Sequence, residues 1–99
     1  MKNARQQIVV EGEMTISRAM ELKEVLLPAC IDGADLEIDL SGVTEIDASG
    51  IQLMMALKLE SIVRNMQLAF TGHSAAVQEA LELSDLAGFF GDPMLITTH

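Results

Sequence analysis

Tryptophan and tyrosine are absent from this 99-residue chain, and Phe70, Phe89 and Phe90 are its only aromatic residues. Base stacking on aromatic faces, a common way of holding single strands, therefore has almost nothing to work with. Basic residues are scarce too. Six Lys and Arg stand against 15 Asp and Glu, for a net charge of −9 and an isoelectric point near 4.4. Such a surface repels phosphate backbones, so no nucleic-acid partner is expected. A protein partner with a basic patch suits it better. The single cysteine, Cys30, rules out an internal disulfide and points to the cytoplasm. The longest apolar run, Val25 to Ile31, is short and contains Pro28. A spanning helix needs about 18 apolar residues or more, so no membrane crossing is expected. Near the N-terminus only Ile8-Val9-Val10 precedes Glu11, too little for a signal-peptide core.

What the chain does have is apolar content: 49% of its residues are hydrophobic, and the mean hydropathy is +0.32. That is enough for a core without staples, and it excludes disorder for the chain as a whole. No repeat, low-complexity tract or linker interrupts it. One domain over 1–99 is expected, with 1–5 as a short frayed tail.

Apolar periodicity predicts alternating strands and helices. Gln6 to Glu11 reads as a strand that stops at Gly12. Ser17 to Cys30 reads as an amphipathic helix that Pro28 ends near Leu27. Leu36-Glu37-Ile38-Asp39-Leu40 alternates apolar with acidic, as a strand with one wet face does. Ser49 to Arg64 is a dense helix, Gln67 to Thr71 a strand, and Ser74 the cap of a helix over Ala75 to about Leu83. Asp85 to Pro93 reads as loop and Met94 to Thr97 as a last strand. The order β-α-β-α-β-α-β favours parallel neighbours. The wet face of 36–40 places the helices on one side of the sheet. The expected fold is a small α/β layer with a four-stranded, mostly parallel or mixed sheet. Val9, Ile38 and Leu40 are assigned to its core.

Enzyme motifs are missing: there is no G-x-G-x-x-G, no phosphate loop, no G-x-S-x-G and no H-E-x-x-H. His73 at a turn and His99 at the end read as solvent-exposed, and Cys30 as a small packed hydrophobe. Glu21, Glu24, Glu60, Glu79 and Glu82 fall on polar helix faces. No catalysis, metal or cofactor is expected.

The informative stretch runs from Glu37 to Gln52. A strand ends, the chain turns at Ser41-Gly42, and Asp47-Ala48-Ser49-Gly50 enters the next helix. Ser49 and Gln52 match a capping box, in which the hydroxyl accepts from the Gln52 N–H. A helix N-terminus also welcomes phosphate, so the same place suits a modifiable serine. Both readings of Ser49 stand at this point. Gly50 is read as the point of close backbone approach by a partner, or as an unusual dihedral at the helix start.

The run Ile38-Asp39-Leu40-Ser41-Gly42-Val43-Thr44-Glu45-Ile46-Asp47-Ala48-Ser49-Gly50-Ile51-Gln52-Leu53 resembles the signature of STAS domains, the anti-sigma factor antagonist family. Val10-Glu11-Gly12-Glu13-Met14 is similar to an early family segment. Ser74-Ala75-Ala76-Val77 resembles its S-P-A-V, with Ala75 in place of Pro, and Leu83 to Phe90 its L-x-G-L region. The resemblance spans roughly 6–97. The chain looks most like the stand-alone members found with chemotaxis or two-component genes. It implies that Ser49 is a phospho-acceptor with Asp47 the acid beside it, and that the Ser49-Gly50 loop and the following helix dock a partner. That partner would be a serine kinase or anti-sigma-like protein, or a protein of a histidine-kinase pathway, and a Ser/Thr phosphatase would reset the switch. The alternative is a constitutive STAS assembly subunit of a transport or chemotaxis complex, without phosphorylation. The STAS partner of a phospholipid-transport ATPase is an example.

The candidate docking residues are thus Asp47, Ala48, Ser49, Gly50, Gln52, Met54 and Met55. The two methionines have a second reading as core, because Ile51, Met54, Met55, Leu57 and Leu59 cannot all face one sheet. Phe89-Phe90 likewise reads either as closing the core or as a contact. A monomer or weak dimer is expected.

Overall fold

The computed structural model describes residues 5–85. Strand β1 (Gln6–Met14) leads through helix α1 (Ala19–Leu26) and a 3₁₀ turn (Leu27–Ala29) to β2 (Asp35–Ile46). Helix α2 (Ala48–Val63), strand β3 (Gln67–Thr71) and helix α3 (Ala75–Leu83) follow. The described sheet has three strands in the order β1-β2-β3, and both pairings are parallel. Each connection joins neighbouring strands, and crossovers of one hand in a sheet growing one way put α1 and α2 on the same face. The fourth strand expected over Met94 to Thr97, the pair Phe89-Phe90 and His99 lie outside the described residues.

Alternation decides which side of each strand is buried. Leu36, Ile38 and Leu40 of β2, Val10 and Met14 of β1, and Leu68 and Phe70 of β3 pack under the helices. The opposite face is open and largely acidic, with Glu11, Glu13, Asp35, Glu37 and Asp39. Glu37 at its centre accepts from Thr71 Oγ1 at 2.7 Å and Gln7 Nε2 at 3.2 Å. Arg5 bonds Asp35 at 2.9 Å, so the chain is already anchored at a position read as tail. Val9 corrects the sequence reading: it is 52% exposed on the open face, and Val10 takes the core position. A run of three apolar residues does not say which of them points inward.

Both strands also run longer than expected. β1 continues through Gly12 to Met14 because β2 continues beside it to Ile46. Between Val9 and Glu11, and again between Gly12 and Glu13, β2 carries one extra residue. These irregularities move its inward phase from Leu40 to Val43 and deliver Asp47 to the end of β1.

α2 lies over the sheet with Gly50, Leu53, Met54, Leu57 and Ser61 turned inward. Lys58 Nζ donates to Leu68 O at 2.8 Å and ties it to β3. Pro28 sits in the 3₁₀ turn and α1 ends at Leu26, within one residue of the end near Leu27 that the proline leads one to expect. Cys30 is buried, and burial pushes its thiol up, with the nearby Glu60 adding to the shift. His73 departs from its reading as solvent-exposed. It is half-buried, its Nε2 is enclosed without a hydrogen-bond partner among the described residues, and burial lowers its pKa.

Candidate functional site

Asp47 organises the carboxyl ends of β1 and β2. One carboxylate oxygen accepts from the backbone N–H of Ser49 at 2.9 Å and of Gly50 at 3.3 Å. The other accepts from Ile16 N at 3.1 Å, in the β1–α1 loop. Its own N–H donates to Met14 O at 3.3 Å. One side chain therefore caps α2 and pins the preceding loop beside it. The Ile16 amide, then those of Gly50 and Ser49, hold its carboxyl below the usual carboxylate range.

The capping box expected at Ser49 and Gln52 does not form. Asp47 is the N-cap, with extended backbone, and Ser49 lies inside the first turn. Aspartate caps as well as serine does, and Ala48 favours the helix, so the helix starts one residue earlier. The Ser49 hydroxyl is left with no hydrogen bond among the described residues. It opens on a groove of about 400 Å³ between the two helices. Ile16, Ala19, Met20 and Lys23 form one wall, and Ser49, Gln52, Leu53 and Ala56 the other. Ile16 and Met20 are mostly exposed, and Lys23 has no ion pair among the described residues. A second groove of about 460 Å³ lies on the other side of Asp47, towards α3, with Thr15, Glu45, Glu79 and Leu83 in its lining.

The seven candidate docking residues divide. Ser49 and Gln52 line this groove, Asp47 lines the second one, and Ala48 is exposed beside them. Gly50 is buried and its φ is not positive, so neither reading given to it holds. A Cβ there would collide with the Met14 carbonyl oxygen and come within 2.7 Å of Ile46 Cγ1. Its role is to let α2 pack on β1. Met54 is a further correction: with 0% exposure it belongs to the core, and Met55 is half-buried against that core. Sequence reasoning missed the opposite wall. The signal was there, since Met20 and Leu22 are about 200° apart on a helix and cannot share a face. Among the described residues no group of three or more His, Cys, Asp and Glu could hold a metal ion.

The family model described as "Mlab, STAS domain" matches residues 1–97. The chain belongs to the STAS domain family. In solved structures the fold is similar to that of a sulfate transporter family protein from Wolinella succinogenes, with a TM-score of 0.72. Identity is 21%, over 91% of this chain and 74% of that one. The STAS domain of a SulP transporter from Vibrio cholerae is similar at a TM-score of 0.66 and 18% identity, over 92% and 71% of the two chains. No curated protein matches the sequence. STAS domains are regulatory protein-interaction modules. No helix among the described residues is long and apolar enough to cross a membrane.

Proposed function

We propose that this domain is a non-catalytic, cytoplasmic protein-binding module of the anti-sigma factor antagonist type, switched by reversible phosphorylation of Ser49. The observation that carries this reading is the unbonded Ser49 hydroxyl at the rim of an apolar groove, held in place by the Asp47 cap. A partner reaching into the groove meets Ile16, Met20 and Leu53 around a neutral hydroxyl. The partner is a serine kinase or anti-sigma-like protein, or a protein of a histidine-kinase pathway, and a Ser/Thr phosphatase restores the hydroxyl.

Phosphorylation would add about −1.5 to −2 charges. The Asp47 carboxylate already holds the N–H groups of Ser49 and Gly50, which a phosphate at the helix start would otherwise use. The phosphate therefore competes with Asp47 and is repelled by it. Any yielding of Asp47 also loosens its bond to Ile16 N, so the modification reshapes the groove wall as well as charging it. A partner that buries this rim without a cation opposite would be released.

A constitutive assembly subunit of a transport complex is the second reading. It is favoured by the Mlab description of the matched family and the transporter titles of both structural neighbours. Phosphate-affinity electrophoresis of the protein recovered from growing cells separates the two. The switch requires a retarded band in wild type that disappears in Ser49→Ala. Wild-type protein with no retarded band under any growth condition would leave the assembly subunit standing.

A further inference from the structure

We propose that Lys23 is the built-in counter-charge for phosphorylated Ser49: its ammonium reaches across the groove between α1 and α2, pairs with the phosphate and closes the groove to a partner. This pairing presupposes the phosphorylation of Ser49 proposed above, and it says where the new charge goes. A phosphate on the first turn of a helix ordinarily settles on the free backbone N–H groups there. In α2 the nearest of these are taken, because Asp47 holds those of Ser49 and Gly50. The Asp47 carboxylate also repels a second anion. A phosphate in this place therefore needs a side-chain cation.

Few cations are available. Arg5 pairs with Asp35 on the open sheet face, Arg18 donates to the Glu11 and Glu13 carbonyls, and Arg64 pairs with Glu60. Lys58 donates to Leu68 O. Lys23 is the one basic side chain among the described residues with no hydrogen bond or ion pair, and it is exposed. It also lines the same groove as Ser49, whose hydroxyl likewise has no partner among the described residues. Two idle polar groups thus face one groove from opposite walls.

The distance is one that the two side chains can span. Helices α1 and α2 follow strands of one parallel sheet and run in the same direction. The bond from Ile16 N to Asp47 sets their starts level. Lys23 lies seven positions beyond Ile16, and Ser49 two beyond Asp47. At about 1.5 Å per residue, Lys23 is about 7 Å further along the helix axes. With packed helices about 8–10 Å apart, the two Cα atoms are separated by about 12 Å. An extended lysine, a phosphoserine and the bond between them cover about 13 Å. Helical side chains lean towards the N-terminus, which aims Lys23 up the groove at Ser49. Ala19 and Ala56 are the small residues of the lining and leave the crossing open. Gln52, one turn on from Ser49, brings an amide donor to the same phosphate. The bridge passes over Met20 and Leu53, the apolar surface that a partner would use.

Phosphoserine placed at position 49 by an expanded genetic code tests this on the whole chain. No kinase is needed, so a failure of the pairing is distinct from the absence of phosphate on Ser49 in cells. By phosphorus NMR the second pKa of the phosphate, ordinarily about 6, should rise by about 0.5 in Lys23→Gln, the size an exposed pair gives. Lys23→Arg should restore the wild-type value. The same pairing leaves less free amine, so acetic anhydride should modify Lys23 about threefold more slowly in the phosphorylated chain than in the unmodified one. Met20 is 72% exposed in the unmodified chain. Hydrogen peroxide should oxidise it about twofold more slowly once the groove is closed, and Lys23→Gln should restore the rate. The proposal falls if Lys23→Gln leaves the phosphate pKa where it was, or if Lys23→Arg behaves like Lys23→Gln. It also falls if Lys23 or Met20 reacts as fast with the phosphate as without it.

Discussion

At the start of α3 the Ser74 hydroxyl accepts from Val77 N at 3.2 Å, whereas at the start of α2 Ser49 accepts nothing from the described residues and Asp47 does the capping. The two helices also differ at their third residue. Val77 fills that position in α3 and is fully buried, while α2 has Gly50 pressed against the Met14 carbonyl. α3 thus starts as an ordinary helix, with its serine used up by structure. α2 starts with a carboxylate shared between helix and loop, a glycine that brings the helix onto β1, and a serine the fold does not require. A side chain the fold leaves idle, at the rim of a groove, is where function is to be sought.

The largest effect should come from giving α2 the residue that α3 carries at its third position. Gly50→Val places branched carbons against Met14 O and Ile46, both part of the sheet. Overpacking against backbone of this kind costs about 3 kcal/mol. In a domain of this size that lowers the thermal midpoint by more than about 10 °C. Calorimetry on the variant checks it. A midpoint close to wild type would mean that α2 can lift off β1 at little cost.

Cap substitutions come next and sharpen the contrast between the serines. Asp47→Ala removes the acceptor for Ser49 N, Gly50 N and Ile16 N together, and should destabilise the domain more than any serine change. Ser74→Ala should cost about 1 kcal/mol, the usual loss for one cap. Ser49→Ala should stay within about 0.5 kcal/mol of wild type, as exposed substitutions without a structural role do. Urea midpoints of the three variants give the order directly. A loss at Ser49 equal to that at Ser74 would restore the capping box and remove the reason to single out Ser49.

Legibility in the sequence followed how local each signal was. β3, the Ser74 cap and the end of α1 near Pro28 were readable, because each depends on a few adjacent residues. The wet and dry faces of Leu36 to Leu40 were readable for the same reason. The inward phase of Ile8-Val9-Val10 was not, since it depends on how β1 pairs with β2. The reach of β2 to Ile46 rests on two register shifts that no single strand displays. At the site, Asp47, Ser49 and Gln52 were found, but the cap was given to the wrong residue of that group. Asp47 prevails because it also bonds Ile16, a residue 31 positions earlier. The same non-local contact sets Ile16 across from Ser49 and builds the groove wall that the sequence reading lacked. Met54 was ambiguous because α2 is apolar nearly all round, so periodicity alone could not say which methionine the sheet would take.

The smallest effect is a separation of the two helix starts by pH. His73 directly precedes the Ser74 cap, and burial holds its pKa below the ordinary 6.5. The unfolded chain then binds a proton more readily than the native one, so acid favours unfolding. Stability is complete above pH 6.5 and declines as pH falls from there towards the lowered native value. Asp47 also has a lowered pKa, below 3.8, but as an acid it is charged in the native state well into acid. Its contribution is present above the unfolded value and is lost only as pH falls through the native one. The α3 start should therefore weaken first, in mildly acid solution, and the α2 start in a second step below about pH 4. Urea midpoints measured at successive pH values should show two declines. His73→Gln should flatten the upper decline and leave the lower, while Asp47→Asn should leave the upper and shrink the lower, which Asp39, also held below 3.8 by the Ser41 amide, shares. If one substitution removed both steps, the two helix starts would be a single coupled unit, and their separation into a structural start and a spare one would be lost.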